Sequence, residues 1–102
     1  MKKTNLYIGL NDKDTKRQEV STLEAFKIVQ NAAVNIFGGG TIYEVTGFYT
    51  HTDGVLVEEK SLKLELVDVT ATSVIEFIHI IKIALNQESI LKTEEVIDSC
   101  YI

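Results

Sequence analysis

Thr41–Val69, TIYEVTGFYTHTDGVLVEEKSLKLELVDV, contains a complete β-hairpin. Thr41–Tyr49 is rich in Thr, Ile, Tyr, Val and Phe, the composition of a strand. His51-Thr52-Asp53-Gly54 follows as the turn, because Asp-Gly accepts positive φ at low cost. Val55–Val69 is the returning strand, in which Leu62, Leu64 and Leu66 alternate with Lys63 and Glu65, so one face is buried and the other wet. Gly47 interrupts the outgoing strand and reads as a bulge or a close backbone approach.

Upstream of the hairpin, Ser21-x-x-Glu24 has the pattern of a capping box. Ala25, Phe26, Val29, Ala32, Ala33, Ile36 and Phe37 then recur at helical spacing as one apolar stripe, and Gly38 is a left-handed C-cap. Before this helix, Asn5–Leu10 alternates as a half-buried strand, and the polar Asn11–Glu19 is a loop. Downstream, Ser73-x-x-Glu76 predicts a second capping box, with a helix to about Asn86 and a last short strand near Ser89–Val96. The order βαββαβ predicts an α+β, ferredoxin-like two-layer sandwich over residues 1–102. In it a four-stranded antiparallel sheet of order 4-1-3-2 carries two helices on one face.

The bulk composition fits one folded domain. The chain has 102 residues, 45% hydrophobic and 25% charged, with no proline. Net charge is −5; residues 1–17 carry five basic against two acidic side chains, +3, which leaves −8 for the rest. That balance argues against a nucleic-acid polymer as partner, since polymer binding wants a broad basic face. Cys100 is the single cysteine, which excludes an internal disulfide or a cysteine-based zinc site and fits a reducing compartment. The opening Met-Lys-Lys is followed by too short an apolar run for a signal peptide, and no run approaches a membrane span. The expected location is the cytoplasm (the host's, for a phage-encoded chain), with no membrane partner.

The second helix is apolar on more than one side. Val74, Phe77, Ile78, Ile81, Ala84 and Leu85 form a face that suffices to cover a sheet, yet Ile75, Ile80 and Ile83 lie outside it among Glu76, His79 and Lys82. Ile75, His79, Ile80 and Ile83 are therefore expected to form an interface between copies of a homo-oligomer; the other readings are that the tail Val96–Ile102 folds over them or that scattered surface isoleucines are simply tolerated.

A candidate ligand site follows from topology. In a βαββαβ sandwich the loop after the first strand and the central hairpin share one end of the molecule. Asn11, Lys13, Lys16 and Arg17 then approach Thr50 and His51, near the amides that open the first helix, and Tyr7, Tyr43 and Tyr49 supply rings for stacking. The expected ligand is a small anion or nucleotide; the bland reading is a solvated loop and an ordinary turn. Gly38-Gly39-Gly40 follows a helix and precedes a strand, the reverse of a phosphate-binding loop, and reads as cap and connector. His51 and Asp53, with Glu58 and Glu59 after them, are too few for a zinc site. Cys100 has no histidine near it in sequence. No catalytic residue, metal or cofactor is assigned, and the chain is expected not to be an enzyme.

The segments LYIGLND (6–12), IFGGGTIYE (36–44) and GFYTHTDGVLVEEKSLKLEL (47–66) resemble small uncharacterised ferredoxin-like proteins of bacteria and their phages. The resemblance implies an oligomer without established catalytic residues. A phage setting implies a counter-defence accessory role, such as holding a nucleotide signal or blocking a host protein. A more distant likeness to nucleotide-sensing ferredoxin-like trimers is one of fold, and the long effector loop of such sensors is missing here.

The leading functional expectation is a non-enzymatic module that binds or sequesters a small anionic ligand. The alternative is an acidic protein-interaction module that masks a basic host partner by charge mimicry. A third is a small lyase or isomerase using His51 and Asp53.

Overall fold

The computed structural model describes residues 1–50 and 52–102. Its elements are β1 (Lys2–Gly9), α1 (Thr22–Phe37), β2 (Thr41–Thr50), β3 (Leu56–Val67), α2 (Ala71–Ala84) and β4 (Leu91–Val96). The sheet order is β2-β3-β1-β4, with every neighbouring pair antiparallel, and the fold is a ferredoxin-like α+β sandwich.

The register sorts the side chains into two faces. Leu6 of β1 pairs with Leu64 of β3, and Ile8 with Leu62, so these leucines and isoleucines project together. They meet Ala25, Val29 and Ala33 of α1 and Val74, Phe77 and Ile81 of α2 in one buried cluster. Phe37 and Phe77 join the helices, with ring centroids 5.4 Å apart.

α1 begins where its sequence predicts. The Ser21 hydroxyl accepts the Glu24 amide at 3.1 Å, although no return bond from the Glu24 side chain to Ser21 forms. Gly38 closes the helix at φ 83°. The start of α2 differs from the sequence expectation. Thr70, not Ser73, is the N-cap, and its hydroxyl accepts the Ser73 amide at 3.2 Å. Both residues can cap, and with the extended backbone at Thr70 the helix starts at Ala71, three residues earlier than a Ser73 cap would allow. Gly47 also departs from expectation. It pairs with Glu59 in an unbroken register, and a Cβ there would make only ordinary contacts, so there is no bulge.

β2 and β3 outrun the rest of the sheet. β1 pairs with β3 only from Ser61 to Val67, while β3 continues back to Leu56 against β2. The outer part is a two-stranded ribbon whose Phe48, Tyr49, Val55 and Leu56 are exposed.

Candidate functional site

The site is built where β1 stops and the ribbon goes on. Gly9, the last residue of β1, has no side chain on the open face of the sheet, and the Glu59 side chain occupies the vacant space. A Cβ on Gly9 would lie 2.6 Å from both Glu59 carboxylate oxygens. One of those oxygens accepts the Asn11 amide at 2.8 Å, just past the Leu10 amide's bond to the Lys60 carbonyl at 3.0 Å. Gly9 therefore permits a carboxylate to lie directly on the end of a strand.

The loop beyond Asn11 is held from two directions. Within it, Asp12 Oδ1 accepts the amides of Asp14 (2.8 Å) and Thr15 (3.1 Å), a side-chain-closed turn. From outside, the Asn86 side-chain amide donates to Asp12 (3.0 Å) and Asp14 (2.8 Å), and the Lys13 amide donates to the Asn86 carbonyl at 3.0 Å. Asn86 takes the left-handed conformation, φ 48°, which asparagine tolerates well. The Asn86 hydrogen bond, with the Thr15 and Asp14 amides, holds the Asp12 carboxyl below its usual range. Gln87, buried, donates to the Asn11 carbonyl at 2.8 Å.

These pieces enclose an open groove of about 440 Å³. Gly9, Glu59 and Ser61 lie along the strands, with Tyr7, Tyr49 and Val57 beside them. Asn11, Asp12, Lys13 and Lys16 contribute from the loop, and Gln87 to Ser89 and Leu91 from the approach to β4. The lining thus carries the acidic Asp12, Glu59 and Glu88 beside the basic Lys13 and Lys16.

Of the residues anticipated from sequence, Tyr7, Asn11, Lys13, Lys16 and Tyr49 line this groove. Arg17 does not; it lies 3.5 Å from Glu19 with its side chain 79% exposed. Thr50 pairs with Leu56 on the ribbon and is not a lining residue. His51 lies outside the described residues. The opening of α1 also stays away from the groove, so its amides do not face a ligand there. Tyr43 belongs to a separate constellation in the middle of the open face. Lys63 Nζ sits 5.6 Å from the ring centroids of both Tyr7 and Tyr43. Glu65 lies 3.3 Å from Lys63 and 3.4 Å from Lys3, and accepts the Tyr43 hydroxyl at 3.1 Å. Burial works against the charge on Glu65, but Lys63, Tyr43 and Lys3 outweigh it and hold its carboxyl below the usual range.

Ile75, His79, Ile80 and Ile83 are all exposed on α2, and the C-terminal tail does not cover them. Among the described residues no cluster of three or more His, Cys, Asp or Glu side chains could hold a metal. No helix of the described residues is long and apolar enough to cross a membrane.

No family model and no curated protein matches the chain. Solved structures do. A phage SAM lyase in complex with S-methyl-5'-thioadenosine superposes with TM-score 0.61 at 17% identity, covering 92% of this chain and 79% of that one. The same kind of enzyme in its apo state gives 0.61 at 19% identity, covering 92% and 78%. The divalent ion tolerance protein CutA1 from Ehrlichia chaffeensis gives 0.55 at 12% identity, covering 97% and 84%. At these identities the likeness is one of fold. It nevertheless overturns the expectation that the chain is not an enzyme. That expectation rested on a small sandwich with no recognisable catalytic set, and a lyase is built on the same sandwich.

The sequence reading missed Gly9 and placed Glu59 only beside a metal possibility it rejected. A signal was present: Gly9 falls on the same alternation as Tyr7, so the open face loses a side chain at the strand's end. Gln87 and Glu88 follow a helix and carry no comparable mark.

Proposed function

We propose that the chain is a small-molecule lyase that takes S-adenosylmethionine, or an adenosyl sulfonium of its kind, into the groove at Gly9. The observation that carries this is the Glu59 carboxylate, seated on a bare strand end and facing a groove that also holds two lysines and two tyrosine rings. The three parts of the ligand have matching partners. Glu59 offsets the sulfonium charge, Lys13 and Lys16 pair with the amino-acid carboxylate, and Tyr7 and Tyr49 supply ring faces for the adenine. The fold likeness to a lyase whose complex holds S-methyl-5'-thioadenosine supports the choice of ligand.

The chemistry asks little of the protein. Breaking the bond between sulfur and the four-carbon arm sends the electron pair to sulfur and leaves neutral S-methyl-5'-thioadenosine. The arm then completes its valence in one of two ways. Its own carboxylate closes on the carbon, with Glu59 acting through charge, or a neighbouring proton leaves to Glu59 acting as base. Either way the groove's work is to fold the substrate and exclude competing poses. Removal of a methyl donor by such a reaction would also serve the counter-defence role that the phage resemblance implies.

The test is incubation of purified protein with S-adenosylmethionine and mass-spectrometric detection of S-methyl-5'-thioadenosine. Release above the uncatalysed rate is expected, with the identity of the four-carbon product choosing between the two routes. Ligand at a hundredfold excess over its dissociation constant should also stabilise the fold by about 2.7 kcal/mol. No release, together with no thermal shift from substrate or product, refutes the reading.

A further inference from the structure

α2 is apolar on more sides than the sheet covers. Val74, Phe77 and Ile81 are buried, while Ile75, Ile80 and Ile83 are 67%, 41% and 70% exposed. Ile75, His79 and Ile83 follow one another at four-residue spacing and form a single ridge along the outer surface of the helix. At 100° per residue Glu76 lies on one flank of that ridge and Lys82 on the other. Neither makes an ion pair among the described residues. The chain's own tail is engaged elsewhere: the Ile97 amide donates to the Met1 carbonyl at 3.0 Å, and the last residues are fully exposed.

We propose that this ridge seats a second copy of the chain across a two-fold axis. Ridges of four-residue spacing on two helices interdigitate at a crossing angle of about −50°, the commonest helix packing. Two identical ridges do this about a two-fold axis that runs along the ridge direction. That axis exchanges the flanks, so the Glu76 side of one copy faces the Lys82 side of the other, and each contact occurs twice. A partner of uniform charge would match one flank and be repelled by the other, whereas a second copy presents both signs in the swapped order. This complementarity is why the occupant is the chain itself. The helix has 14 residues and is about 21 Å long, so the strip is smaller than the ~800 Å² per partner of a standard interface. The pairing is therefore a reversible one, at the small end of the size range of specific interfaces. It is independent of what the groove binds.

Sedimentation of the full chain over a wide concentration range tests the proposal. The mass of the smallest species should double reversibly as concentration rises. Ile75→Glu with Ile83→Glu should abolish the doubling, while circular dichroism shows these surface variants folded. Glu76→Lys alone, or Lys82→Glu alone, should weaken the pairing by about tenfold, and the two together should bring it back to within about threefold of the parent. Absence of any doubling overturns the proposal. So does doubling that ignores the isoleucine changes, or failure of the double reversal to restore it.

Discussion

Glu59 and Glu65 stand on the same strand and the same face of the sheet, yet their surroundings differ. Glu65 is held by Lys3, Lys63 and Tyr43, and its charge is neutralised within the fold. Glu59 has one backbone donor, Asn11, and otherwise faces the groove. Five residues of β3 thus separate a carboxylate whose partners are all internal from one that has room for an external partner. The difference comes from the neighbouring strand. Opposite Glu65, β1 is fully paired and its side chains fill the face. At Glu59, β1 has reached Gly9 and its chain turns away. A polar group becomes available for function where the strand beside it ends.

The largest effect expected from breaking this contrast is on activity. Glu59→Gln should lower S-methyl-5'-thioadenosine release by roughly 10²–10⁴-fold, the range for loss of a charged or basic group at a reacting centre. Melting temperature should hardly change. Glu65→Gln should do the reverse, leaving turnover within about threefold and costing about 1 kcal/mol, a figure kept small because the side chains are partly exposed. Chemical denaturation beside a product assay measures both, and similar losses of activity in the two variants would dissolve the distinction.

Gly9→Val moves the boundary itself. A β-branched side chain occupies the space of the Glu59 carboxyl, and the flexible end of Glu59 must swing away. Turnover should fall by about tenfold or more while β1 keeps its pairing, because valine suits a strand. A structure of the variant, or its activity alone, checks this. Asn86→Gly should have a gentler effect. It keeps the left-handed backbone but removes both side-chain bonds to the Asn11–Gln18 loop. KM should rise by about tenfold with kcat nearly unchanged, since Lys13 and Lys16 lose their fixed placement.

The smallest effect is on pH dependence. Glu65 and Asp12 both have folded-state pKa values below their unfolded ones. Their contribution to stability is therefore complete above the ordinary carboxylate range near ~4 and is lost as pH falls through the depressed folded values. Urea midpoints should fall on acidification below about pH 4, and less steeply in Glu65→Gln.

Most of the fold was legible because it is written in local patterns. The alternation of Leu62, Leu64 and Leu66, the Ser21 cap and the Gly38 stop each fix an element from a few neighbouring residues. The start of α2 was not, because Thr70 and Ser73 are both able caps and the local sequence does not choose between them. The groove was half legible. Its loop residues follow from chain order in a βαββαβ sandwich. The Glu59 placement depends on where β1 ends against β3, a long-range register that no local pattern states. Lys13 and Lys16 are close in sequence, while Glu59 and Glu88 come to the same groove only through the fold.

The β2–β3 ribbon beyond Ser61 has no third strand to shield it, and a two-stranded ribbon is marginal in water. Its amides should therefore exchange with deuterium well ahead of those in the four-stranded part. Tyr49, Val57 and Glu59 all belong to this outer stretch and all line the groove. A ligand seated there would brace the ribbon against the 11–18 loop, so slowed exchange at Phe48–Thr50 and Leu56–Glu59 would report occupancy whether or not turnover occurs.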